Sequence, residues 1–234
     1  MKITYVEDYE ELSNVCKNML VDELKIKASA NFCLASGASP KKAIQKFVEE
    51  IKKENIDSTS LFVTKLDEWI GIEKDDKDSC EKFLRDLIID PLAMGDENFM
   101  GMNPATKNVE EEIARMDELL QNRPIDVCVL GLGMNGHLGL NEPAKTLHNN
   151  SFAIDLDVKT RTHDMIKERD ITRGMSVGMG QIMRSKKVIL LITGSKKDEV
   201  IKQFFTENIS TNLPASFLWL HPNVDVIVDR SVFK

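Results

Sequence analysis

Three short segments of the chain are almost continuously apolar: Ile125–Leu132 (IDVCVLGL), Lys187–Ile192 (KVILLI) and Val224–Val228 (VDVIV). A strand with one wet face alternates apolar and polar residues. A run this uniform needs cover on both faces, which is the condition of a strand inside a parallel sheet. Asn31–Ala35 (NFCLA) and Leu61–Leu66 (LFVTKL) read as two further strands, and Ile3 and Tyr5 alternate in a short one near the start. Between them lie helical patterns. Leu12, Val15, Cys16, Met19 and Leu20 recur at helical spacing, and Asp78–Ile89 and Asn108–Leu120 read as helices. Another helix is expected from Pro40, with Ser39 as its N-cap. Phe152, Ile154, Leu156 and Val158 alternate with polar or small residues, which predicts a half-buried antiparallel or edge strand. Strands that alternate with helices predict an α/β fold: one domain over residues 1–234, Rossmann-like, with a mostly parallel sheet and helices on both faces.

Composition narrows the classes of function. A net charge of -7 argues against broad nucleic-acid binding, which needs a basic excess to release counterions. A phosphorylated small molecule needs only a few local donors and stays in play. Cys16, Cys33, Cys80 and Cys128 are scattered without a CxxC pair, so buried reduced thiols are expected and no metal site. The first residues lack the apolar core of a secretory signal, and no run has the length of a membrane span. The expected location is cytoplasmic, with no membrane partner and with room for a homo-oligomer.

In such sheets ligands sit beyond the carboxyl ends of the strands, and four strand ends here carry suggestive chemistry. Ser36-Gly37-Ala38-Ser39-Pro40 reads either as an ordinary capped turn or as an anion site, where free N–H groups and a helix N-terminus face one point. KLDEW places Asp67 and Glu68 at a strand end. Consecutive strand residues face opposite ways, so only one can serve a given cleft, as a general base; otherwise the pair is a solvated loop. GLGMNGHLGLNEP puts His137 and Glu142 in one compact loop with Asn135 and Asn141. Histidine exchanges protons near neutral pH, and Glu142 could hold its tautomer. TGSKK offers Lys197 in the first turn of a helix, where a cation gains nothing from the dipole. It is either a solvated lysine or a ligand for an anion held nearby. Arg173 is a second phosphate candidate. His148 and His163 read as surface or loop residues, His221 as part of a packed segment, and Trp69 and Trp219 as core or pocket wall.

These segments, in this order, resemble the glucosamine-6-phosphate deaminase/isomerase family. The resemblance runs from Leu34 to Val228, and GLGMNGHLGLNEP and KLDEWIGI are its most specific stretches. SGASP is similar to the family's phosphate loop, which usually has a threonine and more glycine. KLDEW, CVLGLGMNGHLGLNEP, ITRGMS and LPASFLWLH resemble the galactosamine-6-phosphate branch more closely. The glucosamine branch typically has tyrosine at the position of Trp69 and phenylalanine at that of Leu140. The resemblance implies a phosphosugar-isomerase fold and an enzyme that turns galactosamine-6-phosphate into tagatose-6-phosphate and ammonia. The alternative is glucosamine-6-phosphate giving fructose-6-phosphate. A 6-phosphogluconolactonase and a non-catalytic sugar-phosphate sensor are weaker readings. It further implies Asp67 as enolisation base, His137 as the ring-opening acid/base and Glu142 as its support. Ser36, Gly37, Ala38, Ser39 and Lys197 would hold phosphate, and no cofactor is required. Asn135 stands where many members have aspartate; it cannot titrate and could only orient. Arg173 has no clean counterpart. The short stretch after the last strand leads us to expect little allosteric control.

Overall fold

The computed structural model describes residues 1–158, 160–162, 165–195 and 197–233; His163 lies outside them. In chain order the elements are β1 (Lys2–Val6), α1 (Tyr9–Ile26), β2 (Asn31–Leu34), α2 (Ala38–Glu54), β3 (Phe62–Lys65), β4 (Asp67–Trp69), α3 (Cys80–Leu84) and β5 (Phe99–Met100). They continue with α4 (Val109–Asn122), β6 (Val127–Gly131), β7 (Phe152–Asp155), β8 (Arg173–Ser176), α5 (Met179–Met183), β9 (Lys187–Ile192), α6 (Asp198–Phe204) and β10 (Val224–Asp229). Seven strands form one sheet in the order β1-β10-β9-β6-β2-β3-β5, and every pairing within it is parallel. The expected parallel sheet is present.

The period-2 rule explains its double core. Val188, Leu190 and Ile192 of β9 face one side, with Met116, Leu120, Ile201 and Phe204 from α4 and α6. Ile189 and Leu191 face the other, with Leu12, Leu20, Ile44 and Phe47 from α1 and α2. Phe32 and Phe47 are fully buried with ring centroids 5.9 Å apart. Each such side chain contributes roughly 1.5–3 kcal/mol by leaving water. The chain leaves β2 toward β3 but leaves β6 toward β9. The connections diverge between these neighbours, and the crevice at their carboxyl ends is the switch point where such folds bind ligands.

Four local expectations change. The second helix begins at Ala38, not at Pro40, and its cap is Gly37 rather than Ser39. The strand expected to end at Asp67-Glu68 stops at Lys65, and Asp67 opens β4 in a separate sheet. Antiparallel β4-β8-β7 make up that sheet. The alternating run from Phe152 does form an antiparallel strand, but it ends at Asp155, and Val158 is exposed. The helix expected over 78–89 is α3, capped by the Ser79 hydroxyl accepting from Lys82 N, followed by a π-helical turn at Arg85–Ile89. The small sheet packs over its own apolar cluster, in which Trp69, Leu140, Leu156 and Ile171 meet. Its strands have only three or four residues, and β7 alone shows the alternation that marks a strand in the sequence.

Candidate active site

The loops after β2 and β6, the strand β4 and the segment before α6 meet around a cavity of about 500 Å³ at the switch point. Ser36–Ser39 form one wall. Gly37 has φ 113° and ψ -175°, a region open essentially only to glycine. This backbone turns the chain directly into α2, so the positive end of a 17-residue helix, with its free N–H groups, borders the cavity. Tyr9 of α1 steadies that turn, its hydroxyl donating to Ala38 O and accepting from Lys42 N at 3.1 Å. Lys197 lines the same cavity, and its Nζ donates to Leu132 O at 2.6 Å. Burial pushes its ammonium down to about 8. An anion at the Ser36–Ser39 turn would offset that burial and raise the value again.

Asp67 opens onto the cavity from the first position of β4, while Glu68 turns the opposite way into the interior, as the alternation requires. Ser36 Oγ lies 3.5 Å from Asp67 Oδ1 and 2.9 Å from Cys80 Sγ. Burial, reinforced by the Glu68 charge, raises the Asp67 carboxyl to about 7, against the pull of His137, Lys65 and Ser36. A carboxylate with that value accepts and returns protons efficiently near neutrality.

His137, Asn135 and Glu142 sit on the loop after β6. Glu142 is nearly buried and takes contacts on both oxygens. Asn135 Nδ2 donates to Oε2 at 2.7 Å, and Thr160 Oγ1 donates to Oε1. His137 Nδ1 stands 3.4 Å from Oε2. That is longer than a good hydrogen bond, and contacts of this kind tighten in a substrate complex. Burial pushes Glu142 up, but His137, Thr160 and Asn135 together hold it below the usual carboxylate range. Asn135 also accepts from His137 N through Oδ1 at 3.2 Å, so it bridges backbone and carboxylate. A Cβ on Gly133 would lie 2.4 Å from the His137 ring; only glycine leaves the imidazole its place. The cavity therefore combines a carboxyl raised to about 7, an imidazole with an anionic neighbour, and a helix N-terminus beside a buried lysine.

The profile of the family described as glucosamine-6-phosphate isomerases/6-phosphogluconolactonase matches residues 7–227. The chain belongs to this family. Among curated members it is 37% identical to "Putative deaminase AgaI" of Escherichia coli (strain K12), over 96% of this chain and 90% of that protein. It is 32% identical to a glucosamine-6-phosphate deaminase of Clostridium beijerinckii (strain ATCC 51743 / NCIMB 8052), over 99% and 98%. Among solved structures it superposes with TM-score 0.94 and 28% identity on a monomeric glucosamine-6-phosphate deaminase described as a missing link of the NagB superfamily, over 100% of this chain and 99% of that one. This family member is an enzyme of the amino-sugar-phosphate deaminase type.

Nine of the ten residues singled out from the sequence fall around this cavity or directly behind it. Ser36, Gly37, Ala38, Ser39, Asp67, Asn135, His137 and Lys197 line it, and Glu142 lies behind His137. Arg173 does not join them. It starts β8 with an exposed side chain 3.4 Å from Asp155 on the neighbouring strand, so it is a surface cation of the small sheet. His221 is buried and bridges Ser185 O and Asn223 N, and exposed His148 stacks on Phe152. Sequence reasoning missed Thr160, Thr162 and Ser195, which also line the cavity. Single hydroxyls in short turns and loops carry no spacing signal that could have marked them.

Proposed function

We propose that this enzyme converts galactosamine-6-phosphate to tagatose-6-phosphate and ammonia. The observation that carries this reading is the shared cavity: Asp67, His137 and the Ser36–Ser39 turn face one space. The C6 phosphate is held by the turn and Lys197, so binding energy remote from the reacting carbons aligns them. His137 moves a proton from the anomeric hydroxyl to the ring oxygen and opens the ring. Asp67 takes the C2 proton, and the C1 carbonyl oxygen is protonated as the enolamine forms. Asp67 returns its proton to C1, leaving a ketimine at C2. Water adds to that carbon, the C–N bond breaks, and ammonia leaves a ketose phosphate. Glu142 stabilises the imidazolium that appears on His137 during opening.

The choice of the galactosamine epimer is supported by Trp69 and Leu140, the two positions at which the sequence resembles that branch. Both line the cavity and share one apolar cluster. The test is ammonia release from the two amino-sugar 6-phosphates side by side. A higher kcat/KM for galactosamine-6-phosphate is expected. A reversed preference would assign the enzyme to glucosamine-6-phosphate, and no release from either, with hydrolysis of 6-phosphogluconolactone, would assign it to the lactonases of the family. Trp69→Tyr combined with Leu140→Phe is expected to lower the ratio of the two kcat/KM values roughly tenfold, the scale of one pocket contact.

A further inference from the structure

Behind Asp67 lies a group of charges with no access to the cavity. Lys65 and Glu68 are fully buried, and their side chains meet at 2.6 Å. Lys65 Nζ also reaches Glu81 Oε2 at 3.1 Å, and Glu81 in turn holds Arg85 Nε at 3.2 Å. Glu68 accepts three backbone N–H groups: Trp69 at 2.9 Å, Cys80 at 3.0 Å and Glu81 at 2.9 Å. Burying charges costs more than such pairing returns, so the network is a poor device for stability alone. Its connections run to one place. Glu68 ties β4 to the start of α3, and α3 presents Cys80 Sγ to Ser36 Oγ, which lies against Asp67 Oδ1. Gly101 keeps room for it, because a Cβ there would lie 2.6 Å from Lys65 Cε.

We propose that the buried Lys65–Glu68–Glu81 network is the positioning device for Asp67, holding its carboxyl against Ser36 and Cys80 and setting the charge balance it feels. The inference rests on the reading of Asp67 as the base. Every group facing that carboxyl has a defined sense. Glu68 on its own strand opposes its ionisation, while Lys65 from β3, His137 from the loop after β6 and Ser36 from the loop after β2 favour it. The thiols of Cys33 on β2 and Cys80 on α3 are held in their neutral form, first by burial and then by neighbours that include Asp67.

The two central residues should therefore act in opposite directions. Glu68→Gln is expected to move the acid limb of the kcat–pH profile down by about one pH unit, and Lys65→Met to move it up by about one, the scale of a charge removed at this range. The Asp67 carboxyl carbon, followed by 13C NMR in aspartate-labelled protein, should shift its midpoint likewise. Glu81→Gln leaves the Lys65–Glu68 pair intact and serves where the other variants do not fold; its expected shift is down, by about half a unit. Folded variants whose Asp67 midpoint stays put, or moves the same way for Glu68→Gln and Lys65→Met, would overturn the proposal. A midpoint that moves as expected while the kcat limb does not would leave the network standing and remove Asp67 from its role as base.

Discussion

At the scale of the residue, Asp67 pays for its position in stability. Its folded-state value of about 7 lies above its ordinary 3.8, with burial as the main cause. The sign follows from linkage. Below about pH 4 the carboxyl is protonated in both states and costs nothing. As pH rises toward 7 the unfolded chain ionises it freely while the folded one resists, so the cost grows, and above 7 it is constant. Asp67→Asn is therefore expected to raise stability by about 1–3 kcal/mol at pH 8 and by little at pH 4, as measured by urea unfolding at both. The same variant should bind the sugar phosphate yet exchange no C2 proton with solvent. A variant that turns over normally would clear Asp67 of the chemistry. The alternation rule applied to KLDEW had already separated the two carboxylates. It did not say that the inward one, Glu68, would be met by a buried lysine three residues back, because a lysine in a strand ordinarily reads as a surface residue.

At the scale of the element, the anion cradle depends on how α2 begins. Gly37 holds a backbone conformation that a side chain tolerates only at a cost of about 1–3 kcal/mol. Gly37→Ala should pull the first turn of α2 away from the cavity. The expected result is a KM for the phosphorylated sugar at least about tenfold higher, with kcat much less changed and a lower melting temperature. An unchanged KM would place the phosphate elsewhere. SGASP was legible as a strand-to-helix turn, but the register of the helix was not. Ser39-Pro40 has the look of a cap and first residue, yet β2 and α2 are joined so tightly that the helix starts at Ala38.

At the scale of the molecule, acid and cation come from different elements and meet only in the folded chain. Asp67 must lose its proton to act as a base, at about 7, and Lys197 must keep its own to hold phosphate, up to about 8. The kcat/KM profile is expected to rise through about pH 7 and fall above about pH 8. Bound phosphate stabilises the lysine cation, so the alkaline limb of kcat should lie higher than that of kcat/KM. Lys197→Ala should remove the alkaline limb along with the affinity; a limb that survives belongs to another group. The large sheet was legible because burial on both faces leaves its mark on composition, residue after residue. Of the small sheet only β7 was legible, because β4 and β8 are short and pair segments about a hundred residues apart, Asp67 with Ser176.

Local chemistry is written in order along the chain. Short uniform apolar runs bounded by turn residues mark inner strands, a glycine-bearing turn before a helix marks where N–H groups lie free, and neighbours on a strand point apart. Those constraints act over a few residues, so the sequence by itself determined the parallel sheet and the nature of the groups at its strand ends. Which of those groups share a cavity depends on strand order and on contacts between distant segments. Tertiary structure alone excluded Arg173, brought Thr160 to Glu142 and set Lys65 behind Asp67, because charge and hydrogen bonding act through space and not along the chain.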